Sequence, residues 1–201
     1  MIIHKMDQGS EAWHEIKLGK FTGTRFKDIV AKKTTAAYQN CIADVASEIL
    51  TQNKEESYSS DAMQRGVDLE PEARKFYGDL TGIQVYEVGF IEADEWVGVS
   101  PDGLIDDDGM IEIKCPIAKT LFKYMSDGRL PNEYKWQVQG QLWVTQRQYC
   151  DFMAYYPGLK PFLIRVFPDL EMHKQLEIAV QEAIEDVKKL ISDYKKYDPL
   201  S

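Results

Sequence analysis

The sequence contains few cysteines and no long apolar run, and each of these shortages excludes a class of protein. No segment is apolar over the length needed to span a membrane, and residues 1–5 lack the apolar core of a signal peptide. The three cysteines are odd in number and far apart, which argues against a disulfide framework and against zinc or iron–sulfur sites. We therefore expect a protein of the reducing cytoplasm with no membrane partner.

Internal repeats, low-complexity segments and linker-like stretches are also absent from the sequence. A chain of 201 residues is long enough to bury one substantial core. We therefore predict a single domain with a helical N-terminal part (1–60), a mixed core that carries the active site (61–167) and a C-terminal helix (168–201).

The balance of charge counts at first against a nucleic acid partner, because the net charge is −9. The distribution of charge weakens this objection. Positions 17–33 hold six basic residues and one acid, whereas positions 91–112 hold eight acids and no base. A local basic surface beside an acidic site permits DNA binding despite the total charge. The alternative is a basic helix that is merely solvated.

Hydrophobic periodicity predicts helices at both ends of the chain and strands in the middle. Helices are predicted over residues 10–18, around 26–30, and over 37–50, 61–80, 132–145 and 169–194, with a polar loop over 51–60. Strands are predicted over 83–91 and 96–99, around 112, and over 149–155 and 162–167. Helices around a central mixed β-sheet define the fold class as α/β.

The segment from position 100 to 116 is the most informative part of the sequence. Asp102 follows a proline, and ten residues later Glu112 and Lys114 alternate with isoleucines. Residues i and i+2 of a strand share a face, so Glu112 and Lys114 point together. Ile111 and Ile113 then point into a core. The intervening Asp-Asp-Asp-Gly (106–109) has the composition of a hairpin turn, which would bring both carboxylates and the ammonium together.

Two carboxylates beside an ammonium suit a divalent metal ion and a phosphodiester. Mg²⁺ takes oxygen ligands, lowers the pKa of a bound water and neutralises charge on phosphoryl oxygens. A neighbouring lysine can orient the attacking water or stabilise the transition state. The alternative is an ordinary Glu–Lys pair that faces solvent at a sheet edge. The Pro-Asp-Gly segment upstream and the hairpin between the two acids favour a nuclease.

Two further side chains are candidates for this site. Glu70 lies in a predicted helix, where an acid is usually solvated, although a helix packed over the sheet would make it an extra metal ligand. Gln139 shares a helical face with Trp136 and Trp143, and it needs a hydrogen-bond partner if it is buried. Its amide can donate equally to a phosphate, to a water or to the backbone.

An ordered set of short segments resembles phage lambda exonuclease and its viral alkaline exonuclease relatives, within the restriction-endonuclease-like nuclease superfamily. The set includes Ser-Pro-Asp-Gly-Leu (100–104) and Glu-Ile-Lys-Cys-Pro (112–116). The resemblance covers residues 8–145, and the expected strand–strand–helix ending follows. The other segments are 8–14, 18–24, 66–77 and 137–145.

The resemblance implies a restriction-endonuclease-like core and an enzyme that degrades one strand of linear double-stranded DNA from its 5′ end. It also implies Mg²⁺ as the cofactor, two ions per active site, with Mn²⁺ as a substitute. The groups implied as metal ligands are Asp102, Glu112, Glu70 and the carbonyl of Ile113. Lys114 would orient or activate the water.

Family members bind the 5′-terminal phosphate of the DNA in a pocket. The matching positions in this chain are Lys17, Thr24, Ser100 and Gln139, with Gln137 and Arg25 as further candidates for DNA contact. Phage lambda exonuclease has arginine at the position of Lys17 and serine at that of Thr24. Because a lysine cannot grip a phosphate bidentately, we predict a softer preference for 5′-phosphorylated ends than an arginine would give.

The resemblance further implies a ring-shaped homotrimer, a single-strand annealing recombinase as partner, and a phage or prophage origin in a bacterial host. Two other functions stay open on the residues themselves. A site-specific endonuclease on the same fold would need base-reading elements. A non-catalytic DNA-end-binding protein should have lost a carboxylate or the lysine, and all four candidates are present (Glu70, Asp102, Glu112 and Lys114).

Overall fold

The structure is a computed structural model that describes residues 1–54 and 61–199. Residues 55–60, which belong to the predicted polar loop, lie outside the described residues. The strands are β1 (Ile2–His4), β2 (Val85–Tyr86), β3 (Phe90–Glu92), β4 (Gly98–Val99), β5 (Gly103–Ile105), β6 (Gly109–Lys114), β7 (Tyr149–Ala154) and β8 (Phe162–Val166). The helices are α1 (Glu11–Ile16), α2 (Phe26–Ile29), α3 (Ala36–Thr51), α4 (Asp61–Thr81), α5 (Ala118–Asp127), α6 (Lys135–Thr145) and α7 (Leu170–Lys196).

A five-stranded mixed sheet lies at the centre of the molecule, with strand order β2-β5-β6-β7-β8. β5 and β6 form the predicted hairpin, in which Gly103 pairs with Ile111. β6 runs parallel to β7, so the chain between them must cross over, and α5 and α6 make this connection. A second, antiparallel sheet has the order β1-β3-β4.

Helices cover both faces of the central strand β6. On one face Ile111 packs with Tyr77 of α4, and on the other Met110 packs with Leu142 of α6. A strand covered on both faces buries its polar side chains as well, and Glu112 of β6 is fully buried for this reason. The predicted α/β class, with a central mixed sheet flanked by helices, is confirmed.

The last helix, α7, packs against the N-terminal helix α3. Leu176 and Val180 of α7 are buried in one cluster with Ile42 and Val45 of α3. Asp169 caps α7, since its carboxylate accepts two backbone N–H groups of the first turn. Within the described residues no helix is long and apolar enough to cross a membrane.

Several predicted elements differ from the structure. The strand predicted over 83–91 is wrong, because β2 joins the central sheet while β3 joins the second sheet. Alternation along a sequence cannot report such a change of partner. The strand β1 and the helix α5 were not expected. The residue at the N-cap of α5 is Ile117, which has no side-chain acceptor that would mark the beginning of the helix. The helix predicted over 132–145 begins as a short 3₁₀ turn, Asn132–Tyr134, before α6.

Candidate active site

The β5–β6 hairpin positions the central acids of the site. Asp102 directly precedes β5, and its Oδ2 accepts the backbone N–H of Ile113 in β6 at 2.6 Å. This bond ties the start of β5 to the C-terminal end of β6. Asp102 is 9% exposed and Glu112 is 0% exposed. The hairpin therefore brings the two carboxylates into one buried region, as the alternation around Glu112 predicts.

Three donors hold the carboxylate of Glu112. Its Oε1 accepts from the ammonium of Lys114 at 2.5 Å and from Nε2 of Gln137 at 2.5 Å. Its Oε2 accepts from Nε2 of Gln141 at 2.7 Å. Gln137 and Gln141 are four residues apart on α6, so they lie on the same face of that helix. Gln141 was not among the predicted site residues.

Glu70 reaches the site through Arg74, one turn later on α4. The guanidinium of Arg74 donates to Glu70 Oε1 at 2.5 Å and to the backbone carbonyl of Asp102 at 2.9 Å. It also pairs with Glu87 at 2.7 Å. Arg74 thus fastens α4 to the segment that carries Asp102. The i,i+4 spacing of Glu70 and Arg74 is the sequence signal that would have identified this arginine.

The acids of the site carry more charge than their cationic partners offset. Burial, reinforced by Glu112, raises the pKa of Asp102 well above its ordinary value. Burial also raises the pKa of Glu70, against the opposing effect of Arg74. For Lys114, burial lowers the pKa, but Glu112 and Asp102 outweigh it and hold the pKa above its ordinary value. The three carboxylates thus face only two cations, Lys114 and Arg74. Arg74 is in addition paired with Glu87.

This donor set fits a hard divalent cation in its chemistry. The ligating atoms on offer are carboxylate oxygens with surplus negative charge, and neither sulfur nor imidazole is among them. Within residues 1–54 and 61–199, however, no three acidic, histidine or cysteine side chains converge as a ready-made metal site. Each carboxylate is turned to a donor instead: Glu112 to Lys114 and two amides, Asp102 to the N–H of Ile113, and Glu70 to Arg74.

Two of the predicted phosphate-binding residues lie together around Trp13. The ammonium of Lys17 lies 3.2 Å from the centre of the Trp13 ring, and Nε1 of Trp13 donates to Ser100 Oγ at 2.9 Å. Ser100 is two residues from Asp102 in the sequence, but the charged groups that act on Lys17 are Lys54, Arg25 and Glu48 rather than the carboxylates of the site. Burial, reinforced by Lys54 and Arg25, lowers the pKa of Lys17 to about 7. Thr24 is exposed.

The remaining predicted contact residues have structural partners. Arg25 donates to both carboxylate oxygens of Glu48, at 2.5 and 3.0 Å, and Glu48 also accepts the backbone N–H of Gly19 at 2.9 Å. Gly19 has φ +69°, a conformation that favours glycine. Arg25 therefore links the α1–α2 segment to α3 rather than standing free for DNA.

Gln139 is not brought together with the other candidates. Its Nε2 donates to the carbonyl of Phe167 at 2.9 Å, and its Oε1 accepts from the backbone N–H of Asp169 at 2.8 Å and bonds His173 at 3.0 Å. Two residues along a helix are about 200° apart, so Gln139 lies opposite the face of Gln137 and Gln141. The aromatic stripe of α6 could not show which of its glutamines faces the sheet.

Comparisons with known proteins show the family and the fold of this chain. Residues 12–148 match the YqaJ-like viral recombinase domain. The structure is similar to that of LHK-Exo, an alkaline exonuclease from Laribacter hongkongensis, also solved in complex with dAMP. The identity is 36%, the TM-score is 0.86, and the match covers 93% of this chain and 97% of LHK-Exo. The predicted restriction-endonuclease-like fold is confirmed by this match.

A phage-related exonuclease from Haemophilus somnus shares the fold at 16% identity, with a TM-score of 0.68 and coverage of 87% of this chain and 96% of that one. No protein with a curated description matches the chain. The domain match extends over most of the chain and includes every residue of the β5–β6 hairpin and of α6. The chain therefore belongs to the YqaJ-like viral recombinase domain family.

Proposed function

We propose that this protein is a Mg²⁺-dependent exonuclease that degrades one strand of linear duplex DNA from 5′ to 3′. Its relation to an alkaline exonuclease at 36% identity indicates a nuclease and hence an enzyme. The observation that carries the proposal is that one hairpin brings together the buried carboxylates of Asp102 and Glu112 and the ammonium of Lys114, which pairs with Glu112. Hydrolysis of a phosphodiester needs charge neutralisation and an oriented water, and a metal ion held by the carboxylates would supply both together with Lys114.

The roles of the side chains follow from their positions. Asp102, Glu112, Glu70 and the carbonyl of Ile113 would hold Mg²⁺, or Mn²⁺ in its place, with two ions per site. When bound, the metal would supply Lewis acidity and a water of lowered pKa. Lys114 is partly exposed and donates to the buried Glu112, and from this position it can orient that water against the scissile phosphate. Arg74 keeps Glu70 beside the segment that carries Asp102.

We also propose a pocket for the terminal 5′-phosphate, formed by Lys17, Ser100 and Thr24. Gln137 replaces Gln139 in this pocket, because Gln137 is the one that faces the carboxylates. The ammonium, the hydroxyls and the amide can all donate to phosphate oxygens. Since Ser100 lies two residues from Asp102, a phosphate held there would set the register between the DNA end and the scissile bond.

Digestion of end-labelled linear duplex DNA tests the proposed function. With Mg²⁺ we expect the strand whose 5′ end lies at the DNA terminus to be degraded. This degradation should be faster from 5′-phosphorylated than from 5′-hydroxyl ends. Closed circular DNA should not be cleaved. EDTA should stop the reaction. Robust digestion in excess chelator would refute the metal site, and cleavage of closed circles would indicate an endonuclease.

Lys17→Ala should reduce the preference for 5′-phosphate more than it reduces cleavage of 5′-hydroxyl ends.

The preference of the native enzyme for 5′-phosphorylated ends should also shrink as the pH rises through about 7. The pKa of Lys17 is lowered to about 7, so its positive charge is lost in that range. Rates measured on the two kinds of end across pH check both statements. Equal native rates on both ends would remove the pocket and leave the metal site standing.

Assembly and biological context complete the proposal. One chain of 23.1 kDa is too small to encircle duplex DNA, so we propose a ring-shaped homotrimer with heterologous, closing interfaces. We place the protein in the bacterial cytoplasm, encoded by a phage or prophage, where a single-strand annealing recombinase would use the strand it exposes. Light scattering should give three times the chain mass, and a monomeric mass at working concentration would contradict the ring.

A further inference from the structure

The two oxygens of Glu112 are held from different sides. Oε1 accepts from Lys114 and Gln137, whose side chains are both partly exposed. Oε2 accepts only from Gln141 among the described residues, and Gln141 is 1% exposed. Glu112 itself is fully buried, so the approach to it from solvent lies on the Oε1 side, past these two partly exposed side chains. The Oε2 side is closed off inside the protein.

Gln141 makes a single hydrogen bond through its side chain. Its Nε2 donates to Glu112, whereas its Oε1 is buried and has no partner within residues 1–54 and 61–199. An apolar side chain at this place would avoid burying an unpaired carbonyl oxygen. The amide therefore serves the bond to Glu112 rather than the packing of α6. Turning the amide over would set its oxygen against a carboxylate, so the donor must face Glu112.

The surroundings hold this amide in place. A Cβ added to Gly23 would lie 3.9 Å from Cγ of Gln141 and 3.4 Å from Cγ of Gln137. The backbone before α2 thus packs over both glutamines. Val138 and Leu142, the neighbours of Gln141 in α6, are buried in the core beside β6. A side chain confined on these sides has little freedom to rotate away from its acceptor.

We propose that Gln141 is a positioning residue that fixes Oε2 of Glu112 and so determines that Oε1 is the oxygen offered to a metal ion. This inference rests on the proposed function, because it requires Glu112 to be a metal ligand. Hydrogen bonds to ligating carboxylates orient them, and loss of such a partner typically weakens metal binding by roughly 10- to 100-fold. Gln141 thus contributes to metal affinity without touching the DNA or the reacting atoms.

Gln141→Met tests the proposal, since it keeps the length of the side chain and removes the donor. Calorimetric titration of the full-length protein with Mn²⁺ should show binding weakened by roughly 10- to 100-fold. Cleavage should need correspondingly more metal, while KM for DNA stays near its native value. Gln139→Met is the matched control: it is buried on the same helix, and it should lower the thermal midpoint yet leave Mn²⁺ affinity unchanged.

The outcomes separate this inference from the proposed function. Native Mn²⁺ affinity in a folded Gln141→Met variant would overturn the role of Gln141 alone. Failure of the native protein to bind Mn²⁺ or to degrade DNA would overturn the proposed function. If circular dichroism shows that Gln141→Met does not fold, Gln141→Leu, which removes the same donor from a shorter side chain, is titrated and judged by the same criterion.

Discussion

Asp102→Asn is expected to remove DNA hydrolysis while leaving the protein folded and at least as stable as the native form. Asparagine keeps an oxygen that can accept the N–H of Ile113, so the bond between the start of β5 and β6 is retained. The substitution removes a buried carboxyl group whose pKa is raised by burial and by Glu112, so folding no longer bears the cost of burying an ionisable group. The rate of DNA hydrolysis should fall by roughly 10³-fold or more. This exceeds the roughly 10- to 100-fold loss that is typical when a residue that hydrogen-bonds a metal ligand is removed.

Single-turnover digestion with saturating Mg²⁺, together with a thermal melt, checks both parts of this expectation. Asp107→Asn is the matched control, because Asp107 is exposed in the turn between β5 and β6 and should change neither quantity appreciably. A rate near the native value for Asp102→Asn would remove Asp102 from the site. A large drop in thermal midpoint would show that its charge stabilises the fold instead.

Lys114→Met is expected to lower turnover by on the order of 10²-fold, as for the loss of a positioned electrostatic donor. Unlike the asparagine variant, it should also lower the thermal midpoint, because the fully buried Glu112 loses its charged partner and retains only two amide donors. Methionine preserves much of the packing of the lysine stem. The two substitutions should therefore change the thermal midpoint in opposite directions. The site has a surplus of buried acidic groups, which Asp102→Asn reduces and Lys114→Met increases.

Rapid-quench kinetics and a melt on Lys114→Met provide the measurement. Lys119→Met serves as control, since Lys119 is exposed in the first turn of α5 and lies outside the site. Turnover within a few-fold of native for Lys114→Met would show that another group orients the water.

Local patterns predicted the hairpin and its acids, because the information lies within a few residues. The alternation around Glu112 and the Asp-Asp-Asp-Gly turn depend on neighbours along the chain, and the structure has both features. β1 and β3 depend on partners far apart in sequence, with Ile3 pairing with Ile91, and no local signal reports such a pairing. α5 lacks a capping side chain, so its start carried no signal either.

The difference between local and long-range information also explains why the sequence did not show which glutamines of α6 face Glu112. That this helix would meet the strand of Glu112 could be expected, but its rotation about its own axis could not. In the structure Gly140 faces Phe26 of α2 so closely that an added Cβ would lie 2.0 Å from the Phe26 ring. With this face against α2, Gln137 and Gln141 turn toward Glu112, and Gln139 turns toward the start of α7.

The parallel pairing of β6 with β7 has a consequence for the order of folding. The β5–β6 hairpin closes over a short turn and can form early, whereas β7 reaches β6 only after the long connection through α5 and α6, at a higher cost in loop-closure entropy. Gln137 and Gln141 belong to that connection. We therefore expect Glu112 to stay hydrated until the step that also delivers its amide donors, so that its carboxylate is buried together with these partners.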